Sequence, residues 1–222
     1  MVKKLLSYLI PVNVIRKKSE WSKDLEITWN NGELVLDSKN TNYSYGSLQR
    51  ILRKGLKTIG YDTVVQMEHI LVLGVAGGSV IKTLVDEVKY PGKITGVDID
   101  TTVIEIANKY FRLNEIPNLE IIIDDAFEFV LKTKEKYDLI IIDIFQDTNM
   151  PNFLFETFFI KRIGFLLKQN GCAMFNTMLL TENDNQRNKN YLDEVAILGF
   201  STVVVPRIEH HNELIIFKNK ET

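Results

Sequence analysis

A single cysteine, Cys172, excludes a disulfide framework and any zinc cluster built on thiolates. Histidine is nearly as scarce. His69 stands far from the adjacent pair His210 and His211, and neither spacing suits a set of metal ligands. No Ser-His-Asp arrangement stands out, and the Lys-Ser/Thr that completes a P-loop is missing. Long apolar runs are missing too. The leading stretch MVKKLLSYLIPVNVI has two lysines before a short apolar run, but Ser7, Tyr8 and Pro11 break it and no small-residue cleavage site follows. It falls well short of the roughly 20 residues that cross a bilayer. A cytoplasmic protein with no membrane partner is expected.

Net charge is also small, −2, but it is unevenly spread. Residues 1–57 hold 11 Lys and Arg against 5 Asp and Glu, whereas residues 58–222 hold 16 against 24. A basic lead could contact nucleic acid, and an acidic body could receive cationic substrates. Arg50, Arg53, Lys54 and Lys57 recur at helical spacing with no aromatic-basic RNA motif beside them. A solvated helix face is the simpler reading, and nucleic acid is disfavoured.

What the chain does have is a series of short apolar runs, the first ending in a glycine turn and the next three in acid. ILVLGVAGGS (70–79), ITGVDID (94–100), LEIIIDDA (119–126) and YDLIIIDIFQD (137–147) read as buried parallel strands. Strands are expected at 70–74, 93–98, 119–123, 137–143 and 171–177, and helices at 78–88, 103–112, 126–133, 153–167 and 185–198. Two last strands, 201–206 and 213–218, are separated only by the polar turn RIEHHN and should pair antiparallel. A dinucleotide-binding domain would continue strand-helix-strand. The closing pair marks instead an α/β fold with a seven-stranded Rossmann-like methyltransferase sheet. Ahead of it, LEITWNNGELVLD (25–37) alternates around Asn31-Gly32 as a β-hairpin does. A linking helix over 48–59 follows. The expected division is an N-terminal region, 1–67, and a Rossmann-like domain, 68–222.

The turn Gly74-Val75-Ala76-Gly77-Gly78-Ser79 follows a strand and opens a helix, which can bring backbone N–H groups to a ligand. Gly74, Ala76 and Gly78 are the candidate contacts. Ala76 stands where a dinucleotide motif has its second glycine and would crowd a pyrophosphate, so a ligand without phosphates fits better. A plain strand-to-helix turn is the alternative. Asp98, 24 positions after Gly74, can accept ribose hydroxyls, with Asp100 left to cap the next helix. Of Asp124 and Asp125, one can cap the helix at Ala126 while the other accepts from an adenine amine. Asp143 and Asp147 flank Ile-Phe-Gln, where two carboxylates could bind an amine or take its proton. Asp147 could equally be a solvated loop acid. Tyr43, Tyr45 and Phe145 either line a pocket or pack the junction between hairpin and sheet.

Taken in order, the hairpin, NYSYGSLQ (42–49), the glycine turn, VDIDTTVIEIANKYF (97–111), DDAFEFV (124–130) and YDLIIIDIFQD resemble the spermidine synthase family of polyamine aminopropyltransferases, over about residues 25–217. That resemblance implies a class I S-adenosylmethionine-type site. It places Asp98 at the ribose, Asp125 and Ala126 at the adenine, Tyr45 in the substrate site, and Asp143 as the first acid of the family's Asp-Ser-Ser/Thr-Asp motif. The departures lie on the substrate side. The family's acid for the aminopropyl amine is here Gly77, its second motif acid is Gln146, and the Gln-Glu after its tyrosine is Gly46-Ser47. Gln146 can bind substrate but cannot take an amine proton, which leaves Asp143 and Asp147 as the candidate catalytic pair.

Three readings follow. The first is a transferase of spermidine synthase-like ancestry that binds S-adenosylmethionine and methylates an unknown acceptor; methyl transfer tolerates loss of a base because alignment does most of the work. The second is an aminopropyltransferase using decarboxylated S-adenosylmethionine and putrescine. The third is a non-catalytic nucleoside-binding protein. The expected partner is a small molecule, with an amine among the candidates. No metal is expected, and a homodimer stays open.

Overall fold

The computed structural model describes residues 2–22, 24–38, 42–146, 149–209 and 211–219. Two sheets organise the chain. The first is antiparallel, β1 (Val12–Lys17), β2 (Leu25–Asn30), β3 (Glu33–Ser38) and β4 (Asn42–Ser44), in that order. Its centre is the expected hairpin. Asn31 and Gly32 take φ of 50° and 80°, so both central residues sit in the left-handed region, as a two-residue hairpin loop requires. Strands β1 and β4 escaped the sequence reading; β1 is half exposed and lacks clean alternation, and β4 is three residues long. A short helix, α1 (Val2–Leu6), precedes them.

Helix α2 (Gly46–Ile59) and the turn of helix α3 (Tyr61–Val65) lead into the second sheet. Its strands are β5 (His69–Leu73), β6 (Lys93–Asp98), β7 (Leu119–Ile123), β8 (Tyr137–Ile142), β9 (Leu167–Met178), β10 (Phe200–Ile208) and β11 (Asn212–Asn219), in the order β10-β11-β9-β8-β5-β6-β7. Strands β5 to β9 are parallel, while β11 runs antiparallel to β9 and β10 antiparallel to β11. This is the expected seven-stranded Rossmann-like sheet with its closing antiparallel pair. Strand order reverses between β5 and β8, so their carboxyl ends flank the switch point at which such sheets open a crevice.

The connecting helices bury both faces. Ile70, Val72, Ile94, Leu139, Ile141 and Met174 meet Leu52 and Leu56 of α2 and Ile81 of α4 (Ser79–Lys82), which continues as a π-helical stretch, Thr83–Val88. The alternate residues, Leu71, Leu73, Ile140, Ile142 and Phe175, meet Phe159, Ile160 and Ile163 of α7 (Thr157–Leu166) and Tyr191 and Val195 of α8 (Glu182–Ile197). The helix expected over 153–167 is broken at Glu156, which is extended. That break lets Phe153 pack on Phe127 and Phe159 while Phe155 packs on Phe175 and Tyr191. Between the strands, α5 (Thr101–Phe111) and α6 (Ala126–Lys132) start on aspartate caps. Helix α5 also carries the first sheet, because Val103, Ile106 and Phe111 share a core with Leu25, Ile27 and Leu36.

The charge asymmetry resolves within the chain. Arg50 makes a bidentate pair with Glu209 (2.6 and 2.9 Å) and Arg53 one with Glu87, so part of the basic face of α2 lies against acids of the main body. Cys172 is buried in β9, where desolvation pushes its thiol up to about 12. Among the described residues no helix is long and apolar enough to cross a membrane, and no group of three metal-ligating side chains gathers.

Candidate functional site

Gly74 makes the site possible. It follows β5 with φ +87°, and a Cβ there would overlap the Asp143 carbonyl oxygen and lie 2.8 Å from its carbon. The loops leaving β5 and β8 are therefore in backbone contact at the switch point. Beside them lies a cavity of about 470 Å³. Seven expected residues line it together: Gly74, Ala76, Asp98, Asp125, Ala126, Asp143 and Gln146. Ile99, Val103, Phe145 and Phe153 add apolar wall.

Three expectations change. Asp98 was expected to be free once Asp100 capped α5. Asp100 does cap it, accepting from Thr102 N and Val103 N (3.0 and 3.2 Å), but Asp98 is engaged as well. Its Oδ2 accepts from Val75 N (3.0 Å) and Ala76 N (2.9 Å), and its Oδ1 from Asp100 N (2.9 Å). The carboxylate thus shapes the glycine turn, and about one of its four lone-pair positions remains for a ligand. Burial pushes its pKa up, against the pull of the three amides. Tyr45 does not line the cavity; it stacks on Phe111 at 4.5 Å with φ 71°, and burial pushes its hydroxyl pKa up. Gly78 is also outside the lining, at the left-handed position that opens α4, with Leu113 filling the space beside it.

Asp125 is the cap of α6, accepting from Phe127 N (2.7 Å) and Glu128 N (3.3 Å), both at Oδ1. Asp124 Oδ1 accepts from Asp125 N (2.9 Å) and is not in the lining. Asp143 is half-buried on the cavity wall. Desolvation raises it to about 6, and the bond donated by Asn176 (2.8 Å to Oδ1) pulls the other way. Asn212 in turn donates to the Asn176 Oδ1 (3.1 Å). Gln146 exchanges both backbone bonds with Asn149 (2.8 and 2.9 Å). Asp147, Thr148 and His210, and the side chain of Tyr43, lie outside the described residues.

Position 77 explains its own residue. A Cβ there would meet Ser44 Cβ at 2.7 Å, Ser44 Oγ at 2.9 Å and Phe111 at 3.3 Å. Ser44 is held in place, since its Oγ accepts from Ser79 N (3.1 Å). Strand β4 and helix α5 fill the space that a carboxylate at 77 would need.

Sequence reasoning missed Trp21, Ser22, Asn176 and Asn212, all in the lining. Asn176 had a signal: a lone amide inside the apolar run GCAMFNTM needs a partner once buried. Trp21 had none, because the connection between the weakly patterned β1 and the hairpin announces no destination.

The description "Spermine/spermidine synthase domain" belongs to a family model that matches residues 51–222. A "Probable polyamine aminopropyl transferase" of Bifidobacterium longum is 26% identical over 191 residues, covering 82% of this chain and 42% of that protein. The chain spans about half, or less, of the length of the first such relatives. Among solved structures, spermidine synthase from Thermotoga maritima superimposes with a TM-score of 0.65 at 17% identity, covering 95% of this chain and 73% of that one. Human Methyltransferase-like protein 13, in complex with SAH, gives 0.64 at 18%, covering 79% and 83%. At such identities these likenesses speak for the fold.

Proposed function

The chain belongs to the spermine/spermidine synthase family, and from that premise we propose that it binds S-adenosylmethionine and transfers its methyl group to a small acceptor. The observation that carries this reading is Gly77 with its filled surroundings. The family resemblance puts an acid there to hold the aminopropyl ammonium of the decarboxylated donor. A neutral turn neither holds that ammonium nor repels the carboxylate of intact S-adenosylmethionine.

The cavity suits such a donor. Its volume lies within the roughly 300–1,000 Å³ of ligand pockets. Ile99, Val103 and Ala126 offer apolar wall for a ring, Asp98 and Asp125 offer acceptors for hydroxyls and an amine, and the turn after β5 offers backbone amides. When bound, the sulfonium supplies an electrophilic methyl carbon. What the chain contributes is alignment, exclusion of water and a base: Asp143, raised to about 6, can take a proton from an acceptor N–H or O–H near neutral pH. Residues 68–222 form the nucleoside-binding domain in this reading, and residues 1–67 cover it.

A second reading, aminopropyl transfer to an amine such as putrescine, draws on the relatives named as polyamine aminopropyltransferases. Calorimetry with S-adenosylmethionine, decarboxylated S-adenosylmethionine and methylthioadenosine separates the two. Methyl transfer expects the intact donor to bind at least as tightly as the decarboxylated one. A tenfold preference for the decarboxylated donor, with turnover of putrescine, would replace it with the second reading.

A further inference from the structure

One large aromatic on the cavity wall comes from outside the Rossmann-like sheet. Trp21 lies in the connection after β1, 41% exposed, yet it lines the cavity beside Asp98, Ile99 and Val103. The segment that carries it is tied to itself and to the sheet. Ser19 N donates to Ser22 O (2.9 Å) and Ser22 N donates to Ser19 Oγ (2.8 Å), closing a small loop with Trp21 on it. Ser19 Oγ then donates to Oδ2 of Asp100, 81 residues further along the chain. Asp100 is the residue that caps α5 two positions beyond Asp98. Ser22 is turned inward at 3% exposure, so the loop is anchored through its serines.

We propose that Trp21 is a ligand-contacting residue that packs its indole against the nucleoside, and that Ser19 is the positioning residue that pins it over the strand end. The proposal rests on the reading of this cavity as an S-adenosyl nucleoside site. Its physical basis is that an indole left two-fifths exposed on a cavity wall gains most when a flat, weakly hydrated ring covers it. Stacking of this kind tolerates any purine face, and Asp98 and Asp125 line the same cavity to supply the polar contacts. The bond from Ser19 to Asp100 gives the contact its register, because a free loop would have to be ordered on binding.

The chain contains two tryptophans. The other, Trp29, stands in β2 with the Lys4 ammonium 5.5 Å over its ring. Trp29→Phe therefore leaves Trp21 as the sole indole. S-adenosylhomocysteine is titrated into this variant while emission is followed, with calorimetry on the same samples. The expected result is a saturable change in emission whose midpoint matches the calorimetric Kd. Trp21→Ala should bind about tenfold more weakly. Ser19→Ala should shift the Trp21 emission of the free protein to the red and weaken binding less than Trp21→Ala does. Binding by Trp29→Phe without any emission change, or a Trp21→Ala affinity within twofold of wild type, overturns the proposal and leaves the nucleoside site standing. Failure of the wild-type chain to bind S-adenosylhomocysteine overturns both together.

Discussion

Two glycines with nearly the same φ allow the cost of φ to be separated from the cost of space. Gly74 has φ +87° and Gly199, at the end of α8, has φ +91°. An added Cβ at 199 meets nothing within 4 Å, whereas at 74 it overlaps the Asp143 carbonyl. Gly199→Ala should therefore lose only the left-handed penalty, about 1–2 kcal/mol. Gly74→Ala loses the same amount and must also push β5 and β8 apart in a closely packed sheet, a further cost of about 1–3 kcal/mol. For a chain of this size each kcal/mol lowers Tm by roughly 2–4 °C. Urea titrations followed by circular dichroism should place Gly74→Ala about 1–3 kcal/mol below Gly199→Ala, with equal m-values. Since the displaced backbone lines the cavity, Gly74→Ala should also weaken nucleoside binding, while Gly199→Ala leaves it unchanged. Equal stability of the two variants would refute the claim that the switch-point crevice depends on backbone contact at Gly74.

Two other outcomes are expected. Asp143 is an acid whose folded pKa, about 6, lies above its unfolded value, so folding favours its protonated form. The stability it allows is present below about pH 4 and is lost as pH rises through about 6. Asp143→Asn should therefore leave Tm unchanged near pH 4 and raise it at pH 8 by the equivalent of up to about 3 kcal/mol. Asp37, also raised to about 6, acts in the same window, so the wild-type-minus-variant difference is the quantity to plot; a difference flat in pH would refute the assignment. Separately, replacing both Arg50 and Arg53 by Ala should cost about 0.2–1 kcal/mol per pair at low salt and almost nothing in concentrated salt, because both pairs are partly exposed. A loss that persists at high salt would mean that packing of the arginine stems dominates.

The sheet was legible in the sequence because its signals are local. Four short apolar runs ending in acid or turn residues, a fifth over 171–177, and a closing pair with no room for a helix imply the parallel strands and the antiparallel ending without reference to distant residues. The Asn31-Gly32 turn and the Asp100 cap are local in the same sense, since each depends on residues within three positions of itself. The candidate wall of Gly74, Ala76, Asp98, Asp125, Ala126, Asp143 and Gln146 was legible for a related reason. Strand ends in a parallel sheet gather on one edge, so positions after strands become neighbours automatically.

The tertiary structure decided everything that depends on which distant group arrives. Whether Asp98 is free turns on the amides of Val75 and Ala76, which another strand delivers to it. Tyr45 could have faced a ligand, but Phe111 of α5 meets it first. Gly77 looks from sequence like the loss of an acid; in three dimensions it is a position where β4 and α5 leave no room for one. Trp21 lines the cavity from a loop whose Ser19 bonds to Asp100, 81 residues away, a contact that no local pattern announces. Periodicity and caps are set by neighbours along the chain, whereas the polarity and accessibility of a site are set by whatever packs against it. The sequence by itself therefore determined where the cavity would open, and the tertiary packing decided which of the candidate residues line it and which are engaged elsewhere.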